Sequence, residues 1–371
     1  MGGVNFEDVA IYDGWVRHLE TVGQMPAEES WQYPPGAAYL MLLVALTPVA
    51  FGDSFVATML VVDLLGLVLI ASLAGAERRD TGIWVWLLAM PLLSKLSVLR
   101  FDLVPTVVAM AALVVIHRRP TLFGALAGLG AAIKVWPAVL LLAEWDRRRL
   151  ARAAIAALAV VLAAFLVAAI AYGDQSGFLD GQSSRGLQAE SVGSTPWHLR
   201  EAVDGEPPFV VARFGTSEID SGPADAIAIA LELLTLLVLA AAAGWWLLRE
   251  RAIRSGRADL RDAAVSRDFV FAVVLALVVA NKVLSPQFMI WLVGLAAVVL
   301  TAGTPRLARP AWTVLAATAL TWGVFDSSFS LVLRNTALVV AALDAALAMA
   351  VVLRRGAADA EVAGAALRRP W

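Results

Sequence analysis

From 36 to 353 the chain alternates between apolar runs of about helix length and short polar punctuation, with longer polar stretches at 1–35, at 173–223 and beyond 353. An α-helix needs roughly 17 to 25 apolar residues to cross a hydrocarbon core of about 30 Å. The runs 54–75, 82–98, 101–117, 150–172, 224–248, 308–324 and 329–353 are read as crossings on that basis. Two further runs are interrupted. One, 121–145, holds Gly128, Gly130, Lys134 and Pro137; the other, 269–301, holds Asn281-Lys282-Val283-Leu284-Ser285-Pro286-Gln287. Proline removes a backbone donor and disfavours helix at the residue before it. Each run is therefore read as two short helices that turn back within the membrane, the first pair meeting near Lys134. Irregular backbone at that depth is tolerated only around protein-lined or wet space. The run 36–51, opened by Pro34 and Pro35, spans about 24 Å as a helix at 1.5 Å per residue, so it reads as re-entrant or interfacial in preference to a crossing.

Composition turns this pattern into a class. Hydrophobic residues make up 60% of the 371 and charged residues 16%, against roughly 45–50% and about 25% in soluble domains. The expectation is an all-α integral membrane protein, one polytopic domain over 1–371, with membrane lipid as its first partner. Net charge is −2, and no basic stripe is interleaved with aromatics, which excludes nucleic acid as a partner. Cysteine is absent, and His18, His117 and His198 are scattered without zinc-ligand spacing, so no metal is expected. Chemistry is left to carboxylates, arginine, lysine and hydroxyls. Arginines cluster at Arg78 and Arg79, at Arg118 and Arg119, at Arg147 to Arg152, at Arg249 to Arg267, at Arg306 and Arg309, and from Arg354 onward. The positive-inside rule makes these ends cytoplasmic. Segments 1–35 and 173–223 then form extracytoplasmic loops, and 354–371 a cytoplasmic, unstructured tail.

With that orientation Asp8, Tyr33, Arg100, Asp102, Lys134, Arg185-Gly186-Leu187-Gln188-Ala189-Glu190-Ser191, Lys282, Gln287 and Asp326 all fall at the outer boundary or in outer loops. A charge inside an apolar run costs about 2.5 to 3.5 kcal/mol on insertion scales, so its default reading is functional. Cations gathered at one boundary suit a phosphate, and nearby carboxylates suit proton abstraction from a hydroxyl. Two function classes meet this description: transfer from a membrane-embedded phosphate ester, and a multi-pass transporter or lipid flippase. Transporters usually show paired hydropathy repeats and charges along both routes, whereas these polar residues lie on one side. Plainer readings stand beside each residue. Asp8 is a solvated carboxylate, with Asp13 and Glu7 as alternative bases; Lys134 and Lys282 snorkel; Arg100 pairs with Asp102; Arg185, Gln188 and Glu190 order a loop; His198 packs beside Trp197; the tryptophans anchor at the interface.

Tyr33-Pro34-Pro35 after an acidic loop, Arg100-Phe101-Asp102, Ile133-Lys134-Val135-Trp136-Pro137, the Arg185 to Ser191 stretch, and Lys282 to Trp291, in that order, resemble glycosyltransferase family 87. The resemblance implies a GT-C-like bundle and a polyprenol-phosphate-mannose-dependent α-mannosyltransferase. Such an enzyme moves a sugar with inversion from a polyprenyl-phosphate sugar donor to a lipid or glycan acceptor. The expected setting is the plasma membrane with an extracytoplasmic active site, and no cofactor is needed because cations neutralise the leaving phosphate. It also implies Asp8 as catalytic base and Lys134, Lys282, Arg100 and Arg185 as donor-phosphate contacts. Asp102, Gln188, Glu190, Gln287 and Tyr33 are then the acceptor or sugar contacts. Two departures are visible. The family has a helix before this aspartate, so a helix is expected upstream of Met1 in the native gene product. Several relatives carry histidines after the late Ser-Pro, where this chain reads Ser285-Pro286-Gln287-Phe288-Met289-Ile290-Trp291.

Overall fold

The computed structural model describes residues 7–26, 31–173, 185–213, 215–323 and 327–366. In chain order its α-helices are α1 (Glu7–Val22), α2 (Gly36–Ala45), α3 (Phe51–Glu77), α4 (Thr81–Leu93), α5 (Lys95–Leu99), α6 (Leu103–Val115), α7 (Pro120–Ile133), α8 (Arg147–Tyr172), α9 (Thr195–Asp204), α10 (Gly222–Arg254), α11 (Ala263–Ala280), α12 (Phe288–Ala302), α13 (Ala308–Leu320) and α14 (Ser328–Ala366). Helices α3, α8, α10, α11 and the Ser328–Arg354 part of α14 are long and apolar enough to cross a membrane, and α2, α4, α6, α7 and α12 are shorter apolar helices. The chain is thus an all-α polytopic membrane protein. Burial sorts the helices. All 15 residues of α12 are buried and 72% of the apolar window of α11 is, whereas the share is 17–22% in α3, α8 and α10. Helices α11 and α12 form the centre, and the long helices around them turn most of their surface to lipid.

The two interrupted runs break where the sequence places the breaks. Helix α7 ends at Ile133, Lys134 is extended (φ −152°), and a 3₁₀ segment, Trp136–Ala143, carries the chain back. Pro137 stands in the first turn of this segment, where its missing N–H costs no intrahelical bond. Between α11 and α12 the chain is extended at Asn281, whose Oδ1 accepts from the Val283 N–H at 2.9 Å. Helix α2 has 10 residues, about 15 Å at 1.5 Å per residue, too short to cross.

Several expectations need correction. The run 82–98 is not one helix: with Pro91 inside, α4 stops at Leu93, Ser94 turns at φ 47°, and the short α5 follows. Segment 173–223 is more than a loop, since it contains α9 and an antiparallel hairpin, β1 (Val210–Arg213) and β2 (Thr216–Ile219). Segment 1–35 contains α1, whose Val9, Tyr12, Val16 and Leu19 are buried at helical spacing. The last helix runs past Arg354 to Ala366, in place of an unstructured tail. Asp326 lies outside the described residues.

Helices α7 and α8 meet through small residues. A Cβ on Gly124 would stand 2.0 Å from Ala153 O, and one on Gly128 2.5 Å from Ala157 O. Two glycines four apart against two alanines four apart is the close backbone approach used between membrane helices, where dispersion rather than water drives packing. Gly128→Ala should therefore push α7 off α8 and lower the thermal stability of the detergent-solubilised protein by about 1 to 3 kcal/mol, the cost of overpacking. Gly75→Ala, at a helical glycine with nothing within 4 Å of the new Cβ, should be neutral or slightly stabilising. Equal unfolding temperatures for the two variants would count against this contact.

Candidate active site

A cavity of about 1060 Å³ opens where the two helix breaks, α1 and the 185–217 segment meet. Its wall on α1 is Asp8, Ile11, Tyr12 and Trp15, one helical face. Arg100, extended at the end of α5, reaches Asp8, with Nη2 2.6 Å from Oδ2. Asp102 is only 1% exposed, and its Oδ1 accepts from Lys134 Nζ at 2.5 Å and from Trp291 Nε1 at 2.7 Å. Arg100 and Asp102 therefore do not pair with each other; each is matched across the fold. The Lys134 ammonium sits 5.1–5.4 Å from the ring centroids of Tyr33, Phe101, Phe288 and Trp291. Four ring faces and one carboxylate together replace the water it has lost.

The opposite wall is the Arg185 to Glu190 stretch. Leu187 and Ala189 add to the hairpin, with Ile219 N donating to Leu187 O at 2.9 Å and Ala189 N to Ser217 O at 2.8 Å. Gly186 lies close to the hairpin, as a Cβ there would stand 2.9 Å from Glu218 Oε2 and shift that carboxylate. The Arg185 guanidinium donates to Gln32 Oε1, and burial pulls its pKa below the usual value. Gln188 donates its backbone N–H to Lys282 O at 3.0 Å and its side-chain Nε2 to Ser285 Oγ at 2.9 Å, so this loop is laced to the α11–α12 break. Glu190 faces the cavity with Oε2 buried and unpartnered among the described residues, and burial pushes its carboxyl above the usual range.

Of the residues singled out in the sequence, Asp8, Tyr33, Arg100, Lys134, Arg185, Gln188, Glu190 and Gln287 line this one cavity. Asp102 stands behind the wall as the partner of Lys134. The Lys282 side chain is turned to Glu232 of α10, Nζ to Oε1 2.6 Å, while its neighbours Asn281 and Val283 form the wall. Asp13 pairs with Arg17 along α1 at 2.5 Å and does not line the cavity. His198 binds Ala189 O through Nε2 at 2.7 Å, a packing role.

Sequence reasoning passed over Trp136 and Trp291, taken only as interfacial anchors. Their rings stack at 5.3 Å and 20°, Phe288 stacks on Trp291 at 4.0 Å, and both tryptophans line the cavity. A signal was present: Trp136 lies two residues from Lys134 in a proline-broken segment. Tyr12 was also missed; its hydroxyl is buried without a partner among the described residues.

A double-mutant cycle should show how tightly the inner pair is coupled. Lys134→Met leaves Asp102 buried without its cation, and Asp102→Leu leaves the ammonium without its anion; each should cost about 3 to 5 kcal/mol, while the double variant should cost much less than either. Thermal unfolding of the purified variants reads this, and additive losses would show that the pair is not coupled.

The family model described as glycosyltransferase family 87 matches residues 31–267, a span that holds Tyr33, Arg100, Asp102, Lys134, Arg185, Gln188 and Glu190. No curated protein and no solved structure matches the chain. The match covers well over half the sequence and runs through both cavity walls, and the chain belongs to glycosyltransferase family 87, as a multi-pass membrane glycosyltransferase.

Proposed function

We propose that the protein moves a sugar, mannose by the family resemblance, from a polyprenyl-phosphate donor to a hydroxyl of a lipid or glycan acceptor, with inversion at the anomeric carbon. The reading is carried by one juxtaposition in the cavity. The same cavity is lined by the Asp8–Arg100 pair and Lys134 and by the apolar Val135, Val139, Leu239, Leu277 and Val278 of membrane helices and the 3₁₀ segment. A charged head joined to a long hydrocarbon chain is the ligand chemistry that suits such a mixed lining. The Arg-rich helix ends stand at the other end of the bundle, which supports an extracytoplasmic cavity in the plasma membrane.

In this mechanism Asp8 takes the proton of the acceptor hydroxyl as its oxygen attacks the anomeric carbon. The bond from that carbon to the phosphate oxygen breaks, its electron pair stays on the phosphate, and the leaving group gains one negative charge. Arg100, Lys134 and Arg185 stabilise that charge as it develops. The donor phosphate also competes with Asp8 for Arg100, freeing the carboxylate as the donor arrives. Lys282 does not line the cavity; it is paired with a Glu232 that is 52% exposed, and it joins the phosphate by exchanging that partner and turning inward. Gln188, Glu190, Gln287 and Tyr33 meet sugar or acceptor hydroxyls, and Asp102 acts through Lys134.

Membranes supplied with radiolabelled polyprenyl-phosphate sugars should transfer label to a lipid or glycan. Asp8→Asn should lower the transfer rate by about 10² to 10⁴-fold, the usual contribution of a general base, while the donor is still retained. Asp13→Asn, whose carboxylate pairs with Arg17 off the cavity wall, should stay active. An active Asp8→Asn enzyme would remove the base role from this residue, and absence of transfer from every polyprenyl-phosphate sugar would remove the donor class.

A further inference from the structure

Arg334 and Asn335 lie in the second turn of α14, within the part apolar enough to cross the membrane, and both are buried, at 0% and 1% exposure. A buried guanidinium in such a helix is expensive and needs a reason. Its hydrogen bonds go to local amides. Nη2 donates to the backbone carbonyl of Glu190, and Nε and Nη2 donate to Asn335 Oδ1 at 3.1 and 2.7 Å. Nη1 has no hydrogen-bond partner among the described residues. Asn335 continues the contact, its Nδ2 donating to Ser191 O at 2.9 Å and to Thr195 Oγ1 at 3.0 Å.

These bonds belong to a clamp on one turn. Ala189 O accepts from Ser194 Oγ at 2.5 Å and from His198 Nε2 at 2.7 Å, Glu190 O accepts from Arg334, and Ser191 O accepts from Asn335 and, at 2.7 Å, from Ser194 Oγ. The carbonyls of Ala189, Glu190 and Ser191 are thus held by side chains that do not line the cavity, while Glu190 itself and the neighbouring Gln188 do. The Glu190 Oε2 is buried with no partner among the described residues.

We propose that Arg334 is a positioning residue for Glu190: it fixes the turn from behind the wall and supplies the positive charge opposite a carboxylate whose unpartnered oxygen accepts a hydroxyl of the sugar or the acceptor. This rests on the glycosyl-transfer reading, in which the cavity holds a polyhydroxylated ligand. The groups facing Glu190 are Arg334 of α14, His198 of α9, Gln188 of its own turn and, across the hairpin, Glu218, which bridges to Gln188. Burial raises the Glu190 pKa, and Gln188, Arg334 and His198 draw it back down. Loss of the Arg334 charge therefore raises it further, and the group protonates at a higher pH.

The test compares wild type with Arg334→Lys, Arg334→Met, Glu190→Gln and the double variant Arg334→Met/Glu190→Gln, in two measurements. In sugar transfer from a polyprenyl-phosphate sugar, Arg334→Met should raise KM for the acceptor about tenfold and move the acid limb of the pH–rate profile upward by about one unit. Arg334→Lys should leave the limb near its wild-type place, and Glu190→Gln should keep only the limb that Asp8 sets as the base. In that background Arg334→Met should shift the remaining limb no further, and the double variant should be no worse than Glu190→Gln alone. In hydrogen–deuterium exchange, which needs no substrate, Arg334→Met should speed exchange across 186–195 and leave α11 and α12 as protected as in wild type. An acid limb that Arg334→Met still shifts in the Glu190→Gln background, losses that multiply in the double variant, or unchanged exchange across 186–195 would each overturn the proposal. If Arg334→Met does not fold, Arg334→Lys decides, since it keeps the charge and loses the fork that holds the turn: faster exchange across 186–195 with the acid limb in place supports the proposal, and unchanged exchange overturns it. If wild type transfers no sugar from any such donor, the glycosyl-transfer reading fails separately, and exchange alone decides whether Arg334 positions the turn.

Discussion

One carboxylate oxygen, Asp102 Oδ1, joins three pieces of chain that a bilayer would not otherwise let coexist. It accepts from Lys134, where α7 ends in extended backbone, and from Trp291, in the first turn of α12, while its own backbone opens α6. In hydrocarbon no water satisfies the groups freed when a helix breaks, so the break needs fixed partners. Lys134 supplies one by pairing its ammonium with Asp102 inside four aromatic rings and donating its N–H to Gly130 O at 2.8 Å. The 3₁₀ return through Trp136, the stack of Trp136 on Trp291 and the apolar wall beyond all follow from where that lysine is held.

The two ion pairs flanking Phe101 differ in a way that divides their work. In the Asp102–Lys134 pair the side chains are 1% and 11% exposed; in the Asp8–Arg100 pair they are 33% and 24% exposed. Partly hydrated pairs contribute little, about 0 to 1 kcal/mol, so a phosphate can displace Asp8 from Arg100 at small cost. Displacing Asp102 from Lys134 would strand a buried anion. One pair is thus exchangeable and the other is architecture, although both consist of a carboxylate and a cation in a short motif. Arg100, in extended backbone, and Asp102, at a helix start two residues on, belong to different pairs, with Asp8 and Lys134 respectively.

Much of this was legible in the sequence because a bilayer is a demanding solvent. Helix length, the cost of an internal charge and the backbone chemistry of proline located the spans at 54–75, 150–172, 224–248 and 329–353, the breaks at Lys134 and at 281–287, and the convergence of Asp8, Arg100, Lys134, Arg185 and Glu190. By contrast, 82–98, 101–117 and 308–324 hold α-helices of at most 13 residues, and α11, expected as a short returning helix, is long enough to cross. What was not legible depends on partners remote in sequence. Nothing local to Lys282 says that it turns to Glu232 on a helix fifty residues earlier. Nothing near Asp102 announces an indole from residue 291. The hairpin at 210–219 carries weak alternation, and the Leu187–Ala189 segment that bridges to it reads as loop. Arg334 was visible as an arginine away from the cytoplasmic clusters, but only the fold shows that it backs Glu190.

The far end of the bundle bears on which class of protein this architecture serves. Helix α6 has Asp102 at its start and His117 just past its end, about 20 Å away at 1.5 Å per residue. There His117 binds Glu144 Oε2 at 3.1 Å and Ser266 Oγ at 2.9 Å, Arg249 donates to the same Ser266 oxygen at 2.8 Å, and Trp246 donates to Glu144 O at 2.8 Å. Glu144, Arg249 and Ser266 are completely buried. Four segments are crosslinked by groups that would each be costly to leave unpaired. Alternating access needs a second route through this end, and opening one would break most of those bonds at once. An enzyme that takes a lipid-borne donor sideways and an acceptor from one face needs no such route. The lined cavity at one end and the closed polar network at the other are the two halves of that one-sided design.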